Sequence, residues 1–176
     1  MVDKKEKLLL DGAQLETVLK RLASQIAERQ DGEGSYALVG IHTRGVPLAR
    51  RLAAHLKTPA PIGILDINLY RDDLSTVADM PVVKETKMPF PVDGARVLLI
   101  DDVLYTGRTV RAALDALFDL GRPRKVELLA LVDRGGREIP IQADICGKIL
   151  AVPEGEVVKV RFTETDGVDE VVIAKL

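Results

Sequence analysis

Apolar positions along this chain recur with two different periods. Leu15, Val18, Leu19, Leu22 and Ile26 follow one another at helical spacing, and Asp11 with Gln14 three residues on has the form of a capping box. The spacing predicts an amphipathic helix whose outer side carries Lys20, Arg21, Ser24, Glu28 and Arg29. After the break DGEGS, the run YALVGI (36–41) has the length and flanks of a buried strand. HTRGV leads into a second helix, with Pro47 in its first turn and Leu48, Leu52 and Leu56 on its buried stripe. IGILDINLY (62–70) alternates, which predicts a strand with Leu65, Ile67 and Leu69 on one face and Ile64, Asp66 and Asn68 on the other.

From Arg71 to Asp93 the pattern dissolves into charges and three prolines, Pro81, Pro89 and Pro91. Such a stretch is expected to be a flexible lid, a binding loop or a short hairpin. VLLIDDVLYTGRTVRAALDAL (97–117) then reads as a strand, a polar loop and a helix from about Thr109 to Leu120, with Val110, Ala113, Leu114 and Leu117 inward and Gly121 as its stop. KVELLALV (125–132) is another buried strand, ending at DRGGRE, and VVKVRF and EVVIAK flank a turn whose Asp166-Gly167 step signals a hairpin. There is no internal repeat. Strands alternating with helices predict one α/β domain over 1–176, a central, mainly parallel sheet flanked by helices, with a small C-terminal hairpin region. In such a sheet ligands bind beyond the carboxyl ends of the strands. HTRG, DDVLYTGRT and DRGGRE all fall there and are expected to converge.

Composition narrows the function classes. Hydrophobic residues at 47% and charged residues at 30% are the balance of a globular protein and exclude wholesale disorder. No apolar run approaches the roughly 18 residues that span a bilayer, and the opening MVDKKEKLLLDG is too short for a secretory signal, so a cytoplasmic protein with no membrane partner is expected. One cysteine, Cys146, and two histidines cannot supply a thiolate and imidazole zinc site, which leaves oxygen ligands for any metal. A net charge of -2 gives no overall attraction to nucleic acid, so any such binding needs a local basic face.

TGRT, a loop of small and hydroxyl residues opening a helix, presents unpaired N–H groups and the positive end of the helix dipole to a phosphate. Alternatively, Thr106 or Thr109 simply caps the helix, with Gly107 for the turn. Asp101 and Asp102 would repel a bare phosphate unless they hold something beside it, and two carboxylates suit a vicinal diol or a magnesium ion. A sugar carrying a phosphate satisfies both halves. A phospho-acceptor domain also uses strand-end carboxylates, but at the first strand and with a later lysine. Neither GxGxxG nor GxxxxGK[ST] occurs. In HTRG, Gly45 would let the backbone approach a ligand and Arg44 could hold an oxyanion, or Arg44 is a surface residue of an ordinary turn. His42 is open between packing and catalysis.

VLLIDDVLYTGRT resembles the signature of the type I phosphoribosyltransferases, which bind phosphoribosyl pyrophosphate (PRPP), and HTRG resembles their pyrophosphate loop. GIHTRGVPLARRLA, DINLYRDDL, DDVLYTGRTVRAALDAL, GRPRKVELLALVDRGGREIPI and ADICGK together are similar to the bifunctional pyrimidine-operon attenuation regulators that are also uracil phosphoribosyltransferases, over roughly residues 8 to 175. The resemblance implies transfer of 5-phosphoribose from PRPP to uracil, giving UMP and diphosphate, with Asp101 and Asp102 as catalytic carboxylates that grip the ribose hydroxyls and orient Mg2+, directly or through water. It places Tyr105, Thr106, Gly107, Arg108 and Thr109 around the 5-phosphate, with Val103 and Leu104 also lining the substrate site. Thr43 and Arg44 would bind diphosphate with magnesium, Arg71 would reach it when the proline-containing loop closes, and Arg134 and Val158 would lie beside the base under a C-terminal hood. For Arg71 a surface ion pair with Asp72 or Asp73 stays open, and for Val158 a plain strand position.

The same resemblance implies a regulatory role in which UMP or UTP strengthens binding to the leader mRNA of a pyrimidine operon and favours transcription termination. RNA affinity needs cations for phosphates. Lys20, Arg21, Arg137 and Lys148 are the candidates, each equally readable as a solvated surface charge. Two positions depart from the pattern, Gly136 in place of an RGHRE-type histidine and Ser24 in place of one in the first helix. With aromatics at 3%, base stacking is not an obvious device, and two subunits sharing one basic face, as a homodimer or higher homo-oligomer, are expected instead. Two other functions fit the same residues: a uracil or purine phosphoribosyltransferase without an RNA role, and a non-catalytic nucleotide-sensing RNA binder.

Overall fold

The computed structural model describes residues 6–72 and 85–176. Its elements run β1 (Glu6–Leu10), α1 (Gly12–Glu33), β2 (Ala37–Ile41), α2 (Gly45–His55), β3 (Ile62–Leu65), a 3-10 turn (Asn68–Tyr70), β4 (Arg96–Leu104), α3 (Arg108–Leu120), β5 (Lys125–Asp133), β6 (Ile145–Ile149), β7 (Glu156–Arg161), α4 (Thr163–Asp166) and β8 (Glu170–Lys175). Five strands form a parallel sheet in the order β3-β2-β4-β5-β6, and β1, β8 and β7 form a separate antiparallel sheet. This is the expected architecture, with one enlargement: the hood is a three-stranded sheet that recruits the N-terminal strand as well as the C-terminal hairpin.

Alternation along the parallel strands separates two cores. Leu38, Leu98, Ile100, Leu129 and Leu131 face α1 and α2, where Leu15, Leu19, Leu22, Ile26, Leu48 and Leu52 meet Val158, Val160 and Phe162 of the hood. Val39, Val97, Leu99, Leu128 and Ala130 face the other way, onto Val110, Ala113 and Leu117 of α3. The capping box at Asp11 and Gln14 forms as predicted, each side chain bonding the other's backbone N–H at 3.0 and 2.8 Å. At the far end of the sheet from the strand-end loops, Arg96 is buried against Glu127 at 2.9 Å, lies over the Tyr36 ring and donates to its hydroxyl. Burial first, then the charge of Glu127, raises the Tyr36 pKa to about 12.

The structure departs from the sequence reading in four places. IGILDINLY is a strand only to Leu65; the chain then folds into the 3-10 turn, leaving Leu69 70% exposed while Asp66 and Ile67 are buried. A 3-10 turn repeats every three residues, so three alternating apolar positions did not distinguish it from a strand. ICGKI and EKLLL are strands that carry too few alternating apolar residues to stand out. The Asp166-Gly167 hairpin contains a short helical turn, with Gly167 at φ 74°. In the stretch read as a loop over 71–93, residues 73–84 lie outside the described residues. Its later part is anchored: Lys87 pairs with Ile64 through two backbone hydrogen bonds of 2.7 and 2.8 Å, and Val92 is buried. Among the described residues no helix is long and apolar enough to cross a membrane.

Candidate active site

The three polar segments meet because β2, β4 and β5 are neighbours in register, Gly40 opposite Ile100 and Asp101 opposite Ala130. Two glycines set how closely they meet. A Cβ at Gly40 would lie 2.6 Å from the Gly45 carbonyl oxygen, and one at Gly45 would overlap the carbonyl oxygen of Ile100. The expectation that Gly45 admits a ligand is therefore replaced by a backbone requirement: it lets the start of α2 rest on β4 beside the acidic pair. The His42–Thr43 peptide between them is cis, and Thr43 is exposed.

β4 continues through both carboxylates to Leu104. Asp101 is buried, accepts the Asp102 N–H at 3.0 Å, and its carboxyl is also hydrogen-bonded to that of Asp102. Burial, then the charge of Asp102, holds the Asp101 carboxyl well above the usual carboxylate range. Burial also raises Asp102, against the opposing hydrogen bond from Asp101 and the charge of Arg44. One arginine thus acts on each carboxylate, because the charge of Arg71 acts on Asp101. Among the described residues no three metal-ligating side chains cluster, so the pair could supply two hard oxygen ligands and would leave the others to substrate and water.

Beyond the pair, the N-cap of α3 is Gly107 in the left-handed region, φ 92°, and no side chain caps it. The capping alternative thus fails for both threonines; the Thr106 hydroxyl only accepts the Arg108 N–H at 3.3 Å. The uncapped first turn faces a pocket of about 400 Å³ lined by Asp101, Val103 to Val110 and Glu138. Its walls are pinned from outside. The Thr106 carbonyl accepts the N–H groups of Glu138 and Ile139 at 2.9 and 3.1 Å, and Arg108 bridges Asp72 and Glu138 at 2.7 Å each. Arg137 donates to the Ile141 and Tyr105 carbonyls and to Asp133, so all three of its nitrogens are engaged, and the bond to Tyr105 ties the DRGGRE loop to the loop before α3.

Arg44 reaches across to the hood, donating to Asp166 at 2.7 Å, while its Nε is buried without a partner. Arg134 is buried, stacks over the Tyr105 ring at 4.0 Å and has a buried Nε without a partner. It borders a second pocket of about 500 Å³ with Gly135, Gly136, Gln142 and Val152. Val158 is buried between hood and core. Of the other cations, Arg21 donates to the Gly147 carbonyl next to Lys148 on edge strand β6, whereas Lys20 pairs with Glu16 and borders a groove with His55 and Lys57. The roles of Asp72 and Glu138 as partners of Arg108, and of Asp166 as partner of Arg44, escaped the sequence reading. Their partners are 30 or more residues away, a distance at which charge patterning along the chain carries no signal.

Comparison with known proteins matches residues 7–158 to the model of the phosphoribosyl transferase domain family. A bifunctional protein PyrR from Deinococcus deserti is 56% identical over 93% of this chain and 91% of its own length, and one from Chloroflexus aurantiacus is 51% identical over 97% and 96%. A hypoxanthine phosphoribosyltransferase from Trypanosoma cruzi, solved as a ternary substrates complex, superimposes with a TM-score of 0.74 over 97% of this chain and 96% of its own; at 20% identity it shares the fold. By the span of that family match and its likeness to PyrR proteins along nearly its whole length, the chain belongs to the phosphoribosyl transferase domain family, in its PyrR branch.

Proposed function

We propose that this protein binds the leader mRNA of pyrimidine-synthesis genes under the control of UMP or UTP, favouring transcription termination, and that it also transfers 5-phosphoribose from PRPP to uracil. The observation that carries the catalytic half is the adjacent carboxylate pair, Asp101 buried and Asp102 half-buried, a few residues before a helix N-terminus that no side chain caps. Likeness to bifunctional PyrR proteins supports the regulatory half.

In the reaction, the bond from C1 to the diphosphate oxygen breaks with its electron pair leaving on diphosphate. Positive charge grows on the ribose ring, and N1 of uracil bonds to C1 and gives up its proton. The N–H groups of the loop and first turn from Tyr105 to Thr109, with the Thr106 and Thr109 hydroxyls, hold the 5-phosphate. Asp101 and Asp102 take the ribose hydroxyls, and the negative charge of the ionised member favours the ring cation. Val103 and Leu104 line the sugar. Thr43, Arg44 and Arg71 take the diphosphate, and Arg134 and Val158 lie at the base. The acidic pair fits Mg2+, because two adjacent carboxylates, one buried and one half-buried, gain from a hard divalent ion; when bound, it supplies charge neutralisation for the diphosphate.

For RNA, Arg21 and Lys148 form the basic edge beside β6, with Lys20 on the next face of α1. Arg137 acts there by holding its loop, since its guanidinium is engaged within the chain. Two copies, as a homodimer or higher homo-oligomer, extend this edge to the length of a hairpin. A second reading, transfer to uracil or a purine without an RNA role, is favoured by the net charge of -2 and by the inward turn of Arg137. Filter binding of a pyrimidine leader hairpin with and without UMP separates the two, with UMP-dependent retention expected and its absence rejecting the regulator. Formation of UMP from uracil, PRPP and Mg2+ that is lost in Asp102→Asn tests the enzyme.

A further inference from the structure

We propose that Asp166, in the hood, is a positioning residue for phosphoribosyl transfer, fixing the Arg44 guanidinium so that its Nε–H meets the diphosphate of the donor. The inference rests on the reading above that Arg44 takes the diphosphate. A free arginine at a loop end samples many rotamers, and ordering it on the ligand weakens binding. Here the order exists beforehand. Arg44 donates to Asp166 at 2.7 Å, and the acceptor is itself immobile: the other Asp166 oxygen takes the Phe162 N–H at 3.0 Å and the Thr165 hydroxyl at 2.7 Å. The hood turn that carries Asp166 is braced separately on α2 by Arg51, which bonds Glu164 and Asp169 and lies over the Phe162 ring at 4.9 Å. With one end of the guanidinium held, Nε is left buried and without an acceptor. A buried donor with no acceptor within the chain calls for an explanation, and an anionic ligand at the strand-end loops supplies one.

Steady-state kinetics with uracil, PRPP and Mg2+ test this. Asp166→Ala is expected to raise KM for PRPP about tenfold, the weight of one well-oriented charged hydrogen bond, and to raise the inhibition constant of diphosphate equally, with KM for uracil unchanged. Asp166→Asn, which keeps the turn's shape, should give a smaller rise of the same kind and serves if the alanine variant does not fold. Glu164→Gln removes a charge from the same turn but leaves Arg51 bonded to Asp169 and does not touch Arg44, so it should leave KM for PRPP unchanged. On an Arg44→Ala background, Asp166→Asn should add nothing. An unchanged KM for PRPP in both Asp166 variants overturns the inference, as does an equal rise in Glu164→Gln. Wild-type protein that forms no UMP overturns the reading of the site itself, a distinct result from active wild type with indifferent Asp166 variants.

Discussion

Gly45 rests on the carbonyl oxygen of Ile100, closely enough that a single methyl group at residue 45 would overlap it. The contact joins the HTRG loop to the strand that carries the acidic pair. Gly45→Ala is therefore expected to lower unfolding free energy by about 1–3 kcal/mol, the usual range for overpacking, and to reduce UMP formation by more than the lost folded fraction. Urea midpoints and initial rates on one preparation check this, and an unaltered midpoint would contradict it.

Asp102→Asn should separate stability from activity. Burial and the neighbouring carboxylate disfavour the charged pair, so neutralising one member relieves that cost, and the melting temperature is expected not to fall. UMP formation should fall by about 10²–10³ with the loss of one stabilising group at the ring cation. Calorimetry beside a UMP assay measures both, and a destabilised but active variant would refute the role given to the pair.

Glu127→Ala should do the reverse. It leaves Arg96 in the core with the more exposed Glu33, at 3.4 Å, as its remaining carboxylate, and breaking a buried pair costs about 3–5 kcal/mol, an upper bound here. Because this pair lies at the far end of the sheet from the strand-end loops, KM for PRPP in the folded fraction should not change. Denaturant unfolding and kinetics at low temperature are the measurements.

Much of this was legible in the chain. The capping box at Asp11, the buried strands at 37–41 and 125–133, and the convergence of three strand-end loops follow from local patterns of one or two turns. What stayed hidden depends on distant partners. Arg137 reads as a surface cation until Tyr105 and Asp133 are placed around it, and Gly45 reads as a ligand contact until Ile100 is laid against it. Leu69 imitates a strand position because alternation over three residues is too short to fix a period.

Acid should unfold the protein through a defined set of carboxylates. At Asp133 and Asp166 burial alone would raise the pKa, but Arg137 with the Gly135 N–H, and Arg44 with the Thr165 hydroxyl, hold them below the usual range; Arg51 lowers Asp169. A carboxylate depressed in the folded state stabilises fully above the unfolded pKa of about 4 and loses that contribution as pH falls through its lower folded value. Stability should thus rise with pH up to about 4, with a shallower rise in Asp169→Asn, while above it the raised Asp101 and Asp102 carboxyls oppose any further gain. Thermal melts at stepped pH check the slope, and a gain in stability on acidification below about pH 4 would be the wrong sign.

RNA binding should distinguish the two kinds of cation. Lys148→Ala is expected to weaken leader binding across sequences and to reduce the salt slope by about 1, as for one phosphate contact. Arg137→Ala should instead impair PRPP turnover by loosening the loop over Tyr105. Equal salt slopes for Lys148→Ala and wild type would remove Lys148 from the interface.

The antiparallel sheet has a consequence for how the loops are tied together. Among the described residues β1 pairs with β8 alone, with Leu8 and Leu10 opposite Val172 and Val171. The turn that leads into β8 carries Asp166, the partner of Arg44. Whatever loosens β8 should therefore loosen β1 and the hold on Arg44 together, so that the hood and the HTRG loop open or stay closed as one.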